Sequence, residues 1–150
     1  MRIVLQRVTS ARVEVDSEIV GQIERGLLIL IGVAHGDSGA EALWLANKTV
    51  ELRVFADEAG KMNRSLIEMG GSALVVSQFT LLADCRRGRR PAFTDAGPPE
   101  LAERLYRLFG ECLAERGVKV QYGVFAADMK VSLTNDGPVT IVIDRFPDAE

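Results

Sequence analysis

The run Leu27-Leu28-Ile29-Leu30-Ile31-Gly32-Val33 offers no polar face. A strand with one face in water alternates apolar and polar residues, and this one does not. It must therefore be central and covered on both sides. Even extended to Ala34 it is far too short to span a bilayer, so the covering layers are protein. This single requirement selects a layered fold.

The remaining pattern supplies material for the layers. Ile3-Val4-Leu5 with Val8 begins a strand, Arg12 to Asp16 alternates at period two, and Glu18 to Ile23 alternates again after a short polar turn. That spacing predicts a hairpin. Asp37-Ser38 is placed to cap a helix over 39–51, with Ala42, Leu43, Ala46 and Val50 at helical spacing. A second helix is predicted from Pro98-Pro99 to Gly117, with Leu101, Leu105, Leu108, Phe109, Cys112 and Leu113 as its apolar stripe. Further strands are predicted at 74–76, 118–122, 130–133 and 139–143, with a strand and a connector at 52–55 and 65–67. No repeat or linker divides the 150 residues. The expectation is one α/β domain over 1–150, mostly sheet, with two main helices packed on one face.

Charge narrows the partners. The net charge of −3 gives no global basic field. Arg86, Arg87, Arg89 and Arg90 nevertheless fall within five positions, so the basic character is local. Such a run is either a solvated loop or a dock for one end of a polyanion, better suited to that than to coating a long duplex, and no DNA partner is expected. Two cysteines without CxxC spacing and one histidine make neither a zinc site nor a disulfide scaffold. Gly70-Gly71 and Gly36-Asp37-Ser38-Gly39 match no phosphate-binding fingerprint. No cofactor, metal or membrane partner is expected. With no signal segment at the start, a cytoplasmic location is expected.

Two segments carry chemistry. Ser77-Gln78-Phe79-Thr80-Leu81 follows the apolar Ala73-Leu74-Val75-Val76 and leads into the arginines. It either continues the strand, with Phe79 in the core, or sets the Gln78 carboxamide, the Thr80 hydroxyl and backbone amides around a carbonyl. Asn135-Asp136-Gly137-Pro138-Val139-Thr140 is either a plain turn or a rigid rim of backbone carbonyls. A nucleophilic Ser77 or Thr80 would need a base. His35, the one histidine, sits in a strand-to-helix turn that the sequence does not place beside them. No G-x-S-x-G elbow surrounds Ser77.

Taken together, these two segments and the run Arg87-Gly88-Arg89-Arg90-Pro91 resemble the D-aminoacyl-tRNA deacylases. The likeness extends to Met1 through Val8 and to Gly123 through Met129, covering essentially the whole chain. The resemblance implies a three-layer α/β fold and hydrolysis of the ester between a D-amino acid and the terminal adenosine of tRNA. It implies activity on glycine mischarged to alanine tRNA as well. It further implies a homodimer in which a cis Gly137-Pro138 pair enters the partner's site. By position, Thr80 and Gln78 would be catalytic, Ser77, Phe79 and Phe125 would surround the substrate, and Gly137 and Pro138 would face its α-carbon. Arg87, Arg89 and Arg90 are the candidates for tRNA phosphate contacts. Leu82, Cys85 and Ala92 depart from the family's usual tyrosine, threonine and serine. With no base in view, the expected mechanism relies on positioning and on the substrate's own 2′-hydroxyl. The competing readings are a non-catalytic tRNA-end-binding protein and an acyl hydrolase with a covalent Ser77 or Thr80.

Overall fold

The apolar run does become the central strand, and its residues divide between two cores. The computed structural model describes residues 1–148. Strand β3 (Gly26–Gly32) lies between β1 (Arg2–Val15), to which it is antiparallel, and β6 (Ser72–Ser77), to which it is parallel. Leu27, Ile29 and Ile31 point into one core, with Leu45 and Val50 of helix α1 (Gly39–Glu51) and Leu105 and Phe109 of helix α2 (Pro99–Glu115). Leu28 points the other way, joining Val8, Val13, Ile23, Leu74 and Val76 in a second core. Each buried Leu or Ile contributes about 1.5–3 kcal/mol relative to exposure.

The third layer comes from the sheet folding over itself. Strand order is β2-β1-β3-β6-β7, with β2 spanning Glu18–Ile23 and β7 spanning Lys119–Tyr122. Residues 2–8 of β1 pair with β3, whereas residues 11–15 pair with β2. Strand β8 (Lys130–Asp144) runs antiparallel along both halves of β1. The architecture is a three-layer, single-domain α/β fold with both helices on one face.

Local chemistry sets the helix ends. Ser38 caps α1 in a reciprocal box with Glu41, whose carboxylate accepts from the Ser38 amide at 2.7 Å. Asp37, expected to share that role, is buried instead. It accepts the Ala34 amide at 2.7 Å and pairs with the amino group of Met1 at 2.7 Å. Leu43, placed by spacing on the buried stripe, faces solvent, and Leu45 takes the core position. Pro99 opens α2, and its last turn closes through Val118 N–H to the Leu113 carbonyl at 3.2 Å.

Three strand boundaries differ from expectation. The predicted segments at 3–8 and 12–16 are one strand, as are those at 130–133 and 139–143. The Asn-Asp-Gly-Pro segment does not end β8. Asn135 stands opposite Val8 and Thr140 opposite Gln6, so 136–139 bulge out between them. The Asn135 carboxamide holds the bulge closed by donating to Arg7 O at 2.8 Å and Val139 O at 2.9 Å. The strand predicted over 52–55 is confined to β4 (Phe55–Ala56), which forms a small hairpin with β5 (Met62–Arg64), while 65–67 is a turn, as the expected connector. Among the described residues no helix is long and apolar enough to cross a membrane.

Candidate active site

Strand β6 stops at Ser77 because the chain tightens there into a 3-10 turn, Phe79–Leu82. The Gln78 amide still bonds to Ile31 O at 2.7 Å, then Leu81 N–H closes onto Gln78 O at 3.2 Å. Glycine at the end of β3 makes this possible. A Cβ on Gly32 would lie 2.3 Å from Leu82 Cδ2, 3.0 Å from Leu81 Cβ and 3.2 Å from the Gln78 carbonyl oxygen. The turn therefore rests directly on the backbone of the central strand. Phe79 is 53% exposed, which rules out the reading that buries it in the core.

A cleft of about 500 Å3 opens beside the turn. Ser77, Gln78, Phe79 and Phe125 all line it, as do Ala102 of α2 and Met129. Thr80 is not among the lining residues; it is exposed on the turn, its hydroxyl accepting a hydrogen bond from the Gln78 carboxamide. The amides of Phe79 and Thr80 open the turn with no carbonyl partner among the described residues. The lining is mostly apolar with a few convergent polar groups, as small-molecule sites are.

The far wall is the 123–129 segment. Ala126, at φ +63, adopts the left-handed conformation that non-glycine residues rarely take. Ala127 N–H bonds back to Val124 O at 3.2 Å. Phe125 is backed by Tyr106, 6.1 Å between ring centroids. Burial pushes the Tyr106 phenol up to about 12, so it stays neutral. The cleft's acidic side chain, Asp128, is paired with Lys130 at 3.1 Å. His35 lines a neighbouring pocket, not this one.

Beyond the turn, the arginine run forms a clipped loop. Asp84 and Ala92 exchange backbone bonds of 2.7 and 2.9 Å at its base. Arg86 grips the Asp84 carboxylate with two bonds of 2.8 and 2.7 Å, and this grip holds the carboxyl down at about 2. Arg87, Arg89 and Arg90 are exposed and form no ion pair among the described residues. Phe93, just past the loop, meets Phe79 edge to face at 5.1 Å.

Gly137 and Pro138 are not brought to this cleft. They are exposed at the apex of the β8 bulge, joined by a cis peptide. Gly137 has φ +130, a conformation that L side chains rarely adopt, which favours glycine there. Arg7 braces the apex by donating to Asp136 O at 3.0 Å and to Val54 O at 2.7 Å.

The family model described as D-Tyr-tRNA(Tyr) deacylase matches residues 4–144. The chain belongs to that family. Its members are hydrolases of the aminoacyl-tRNA ester bond. A relative from Rhodopirellula baltica, named D-aminoacyl-tRNA deacylase, is 60% identical over 144 residues, 96% of this chain and 99% of its own. A solved structure named c-Myc DNA Unwinding Element Binding Protein superposes with a TM-score of 0.91 at 39% identity, covering 98% of this chain and 100% of the other. A second, described as "a probable eukaryotic D-amino acid tRNA deacylase", gives a TM-score of 0.82 at 19% identity, covering 96% and 98%, which establishes the shared fold.

Arg7, Phe93, Ala102 and Ala126 also shape the site, although the sequence did not single them out. Arg7 interrupts an apolar strand, and such a charge signals a buried partner. Phe93 follows the arginines closely enough to be suspected. Ala102 and Ala126 carry no signal in their residue type.

Proposed function

We propose that the cleft hydrolyses the ester joining a D-amino acid to the terminal adenosine of tRNA. The observation that carries this is the convergence of Ser77, Gln78, Phe79 and Phe125 on one cleft in a chain of this family. Water adds to the ester carbonyl carbon, the bond to the ribose oxygen breaks, and that oxygen takes up a proton. The products are a free D-amino acid and tRNA. An aminoacyl ester is already reactive, so positioning and oxyanion stabilisation supply most of the acceleration.

Because Thr80 accepts from Gln78, its own proton is free to point at the carbonyl oxygen or the attacking water. Among the described residues no base is bonded to that hydroxyl, which argues against a covalent acyl-threonine. The substrate's 2′-hydroxyl takes the missing part of proton transfer. Phe79 and Phe93 provide exposed rings for the adenine, and Arg87, Arg89 and Arg90 take acceptor-stem phosphates.

Chirality is controlled by exclusion in a homodimer. Gly137 and Pro138 lie outside their own chain's cleft, exposed and braced by Arg7, which suits them to complete the cleft of a second copy. Their carbonyls then crowd the face an L side chain would occupy, while a D side chain points to solvent. Glycine has nothing to exclude, so glycine mischarged on alanine tRNA is also a substrate. The test is release of D-tyrosine from D-tyrosyl-tRNA by purified protein, falling about a hundredfold in Gln78→Ala. Tight tRNA binding with no release would favour a non-catalytic tRNA-end-binding protein.

A further inference from the structure

A second pocket, of about 370 Å3, adjoins the cleft across the 79–82 turn. The two share walls. Gln78 and Phe79 face the cleft, whereas Leu82 and Ala83 face the second pocket. Ala96 and Gly97 face the cleft, whereas Thr94 and Asp95 face the second pocket. This partition is fixed to the end of β3 by His35 N–H to Asp95 O at 3.1 Å and Gly97 N–H to Val33 O at 2.8 Å. A polymer whose last residue fills the cleft has its preceding residue within reach of the second pocket.

The pocket's chemistry is that of a base-recognition site. Phe146, 39% exposed, provides an aromatic face. Thr94, Asp95 and His35 line it and are exposed, and among the described residues the bond between His35 and Asp95 is one of backbone to backbone. Arg2 is committed elsewhere, gripping Asp144 at 2.7 and 2.8 Å and bonding Leu81 O at 3.1 Å, so it shapes the wall without offering a free charge. Arg86, at the start of the arginine loop, lies within electrostatic reach of Asp95, which puts the basic loop beside the pocket.

We propose that this pocket binds the cytidine preceding the terminal adenosine of tRNA, a subsite distinct from the catalytic cleft. The proposal rests on the deacylase reading and extends it to the second nucleotide of the substrate. Every mature tRNA ends in CCA, so that nucleotide is always cytidine. The Asp95 carboxylate accepts from the cytosine exocyclic amine, as acidic side chains do where cytosine is read directly. Uracil presents a carbonyl oxygen at the same place and meets the carboxylate with like polarity. Phe146 stacks on the base, a contact that discriminates little between pyrimidines.

The experiment compares three D-tyrosyl esters as substrates of the full-length protein: those of adenosine, of the dinucleotide CpA and of the dinucleotide UpA. The CpA ester is expected to exceed the UpA ester about tenfold in kcat/KM, the size of one charge-assisted hydrogen bond, and to do so mainly through KM. Asp95→Asn, whose carboxamide can both accept and donate, is expected to bring the CpA-to-UpA ratio near one. Phe146→Ala is expected to weaken both dinucleotides and keep their ratio. Equal CpA and UpA efficiencies in the unmodified protein, or a CpA ester no better than the adenosine ester, would overturn the subsite while leaving deacylation intact. If none of the esters is hydrolysed, deacylation itself fails. The subsite is then decided by equilibrium binding of unesterified CpA against UpA, equal affinities overturning it.

Discussion

Replacing Gly32 with alanine tests whether the central strand positions the chemistry. The new Cβ would sit 2.3 Å from Leu82 Cδ2, about an ångström too close. Leu82 can rotate its tip, but Leu81 Cβ and the Gln78 carbonyl, at 3.0 and 3.2 Å, are fixed to the turn itself. The turn must shift by several tenths of an ångström, carrying Gln78 and Thr80. Overpacking of this kind costs about 1–3 kcal/mol, offset by about 0.4–1 kcal/mol from a stiffer unfolded chain. A net loss of about 1–2 kcal/mol lowers the melting temperature by roughly 2–8 °C for a chain of this length. The catalytic effect should be larger, since misplacement by an ångström costs about a hundredfold. We expect kcat on D-aminoacyl-tRNA to fall about ten- to a hundredfold with little change in KM. Gly71→Ala is the control, because its Cβ would crowd Leu66 Cδ1 at 2.9 Å and Arg25 O at 3.2 Å, away from the cleft. It should lower the melting temperature without the loss of kcat. A folded Gly32→Ala protein with undiminished kcat would refute the idea that this contact sets the turn.

Three further outcomes follow from the site. Thr80→Ala should retain substantial activity, whereas a substrate ending in 2′-deoxyadenosine should react far more slowly; a dead alanine variant with a normal deoxy substrate would reverse the mechanism. Charge reversal at Arg87 and Arg89 should weaken tRNA binding and reduce the slope of log K against log salt by roughly one unit for each lost phosphate contact. Unchanged binding at low and high salt would return the loop to plain solvated surface. Heterodimers of a Gln78→Ala chain with a chain disabled at Gly137 and Pro138 should regain one working site. No recovery in verified heterodimers would mean that each chain builds its site alone.

Much of this fold is legible in the sequence because its signals are local. Seven apolar residues in a row force a two-sided strand, and Pro99 and Ser38 mark helix starts by well-understood chemistry. The motif Ser77 to Leu81 is recognisable by type, although its departure from the strand depends on Gly32, forty-five positions away. Continuity of β8 through Asn-Asp-Gly-Pro is not legible, since the turn signal is real but Asn135 and Arg7 staple the excursion across the sheet. Asp37 misleads for the same reason: a good cap by type, it is claimed by the Met1 amino group and the Ala34 amide. Removing that carboxylate would leave a buried charge without its partner, a loss of about 3–5 kcal/mol. Long-range pairings of this kind decide the boundaries that residue types alone leave open.

Stereospecific deacylation is tested by the ratio of hydrolysis rates for D- and L-tyrosyl-tRNA with one preparation of purified protein. Steric exclusion worth about 3 kcal/mol predicts that the D substrate reacts about a hundredfold faster or more. Equal rates for the two enantiomers, or no release above the spontaneous rate for either, would contradict it.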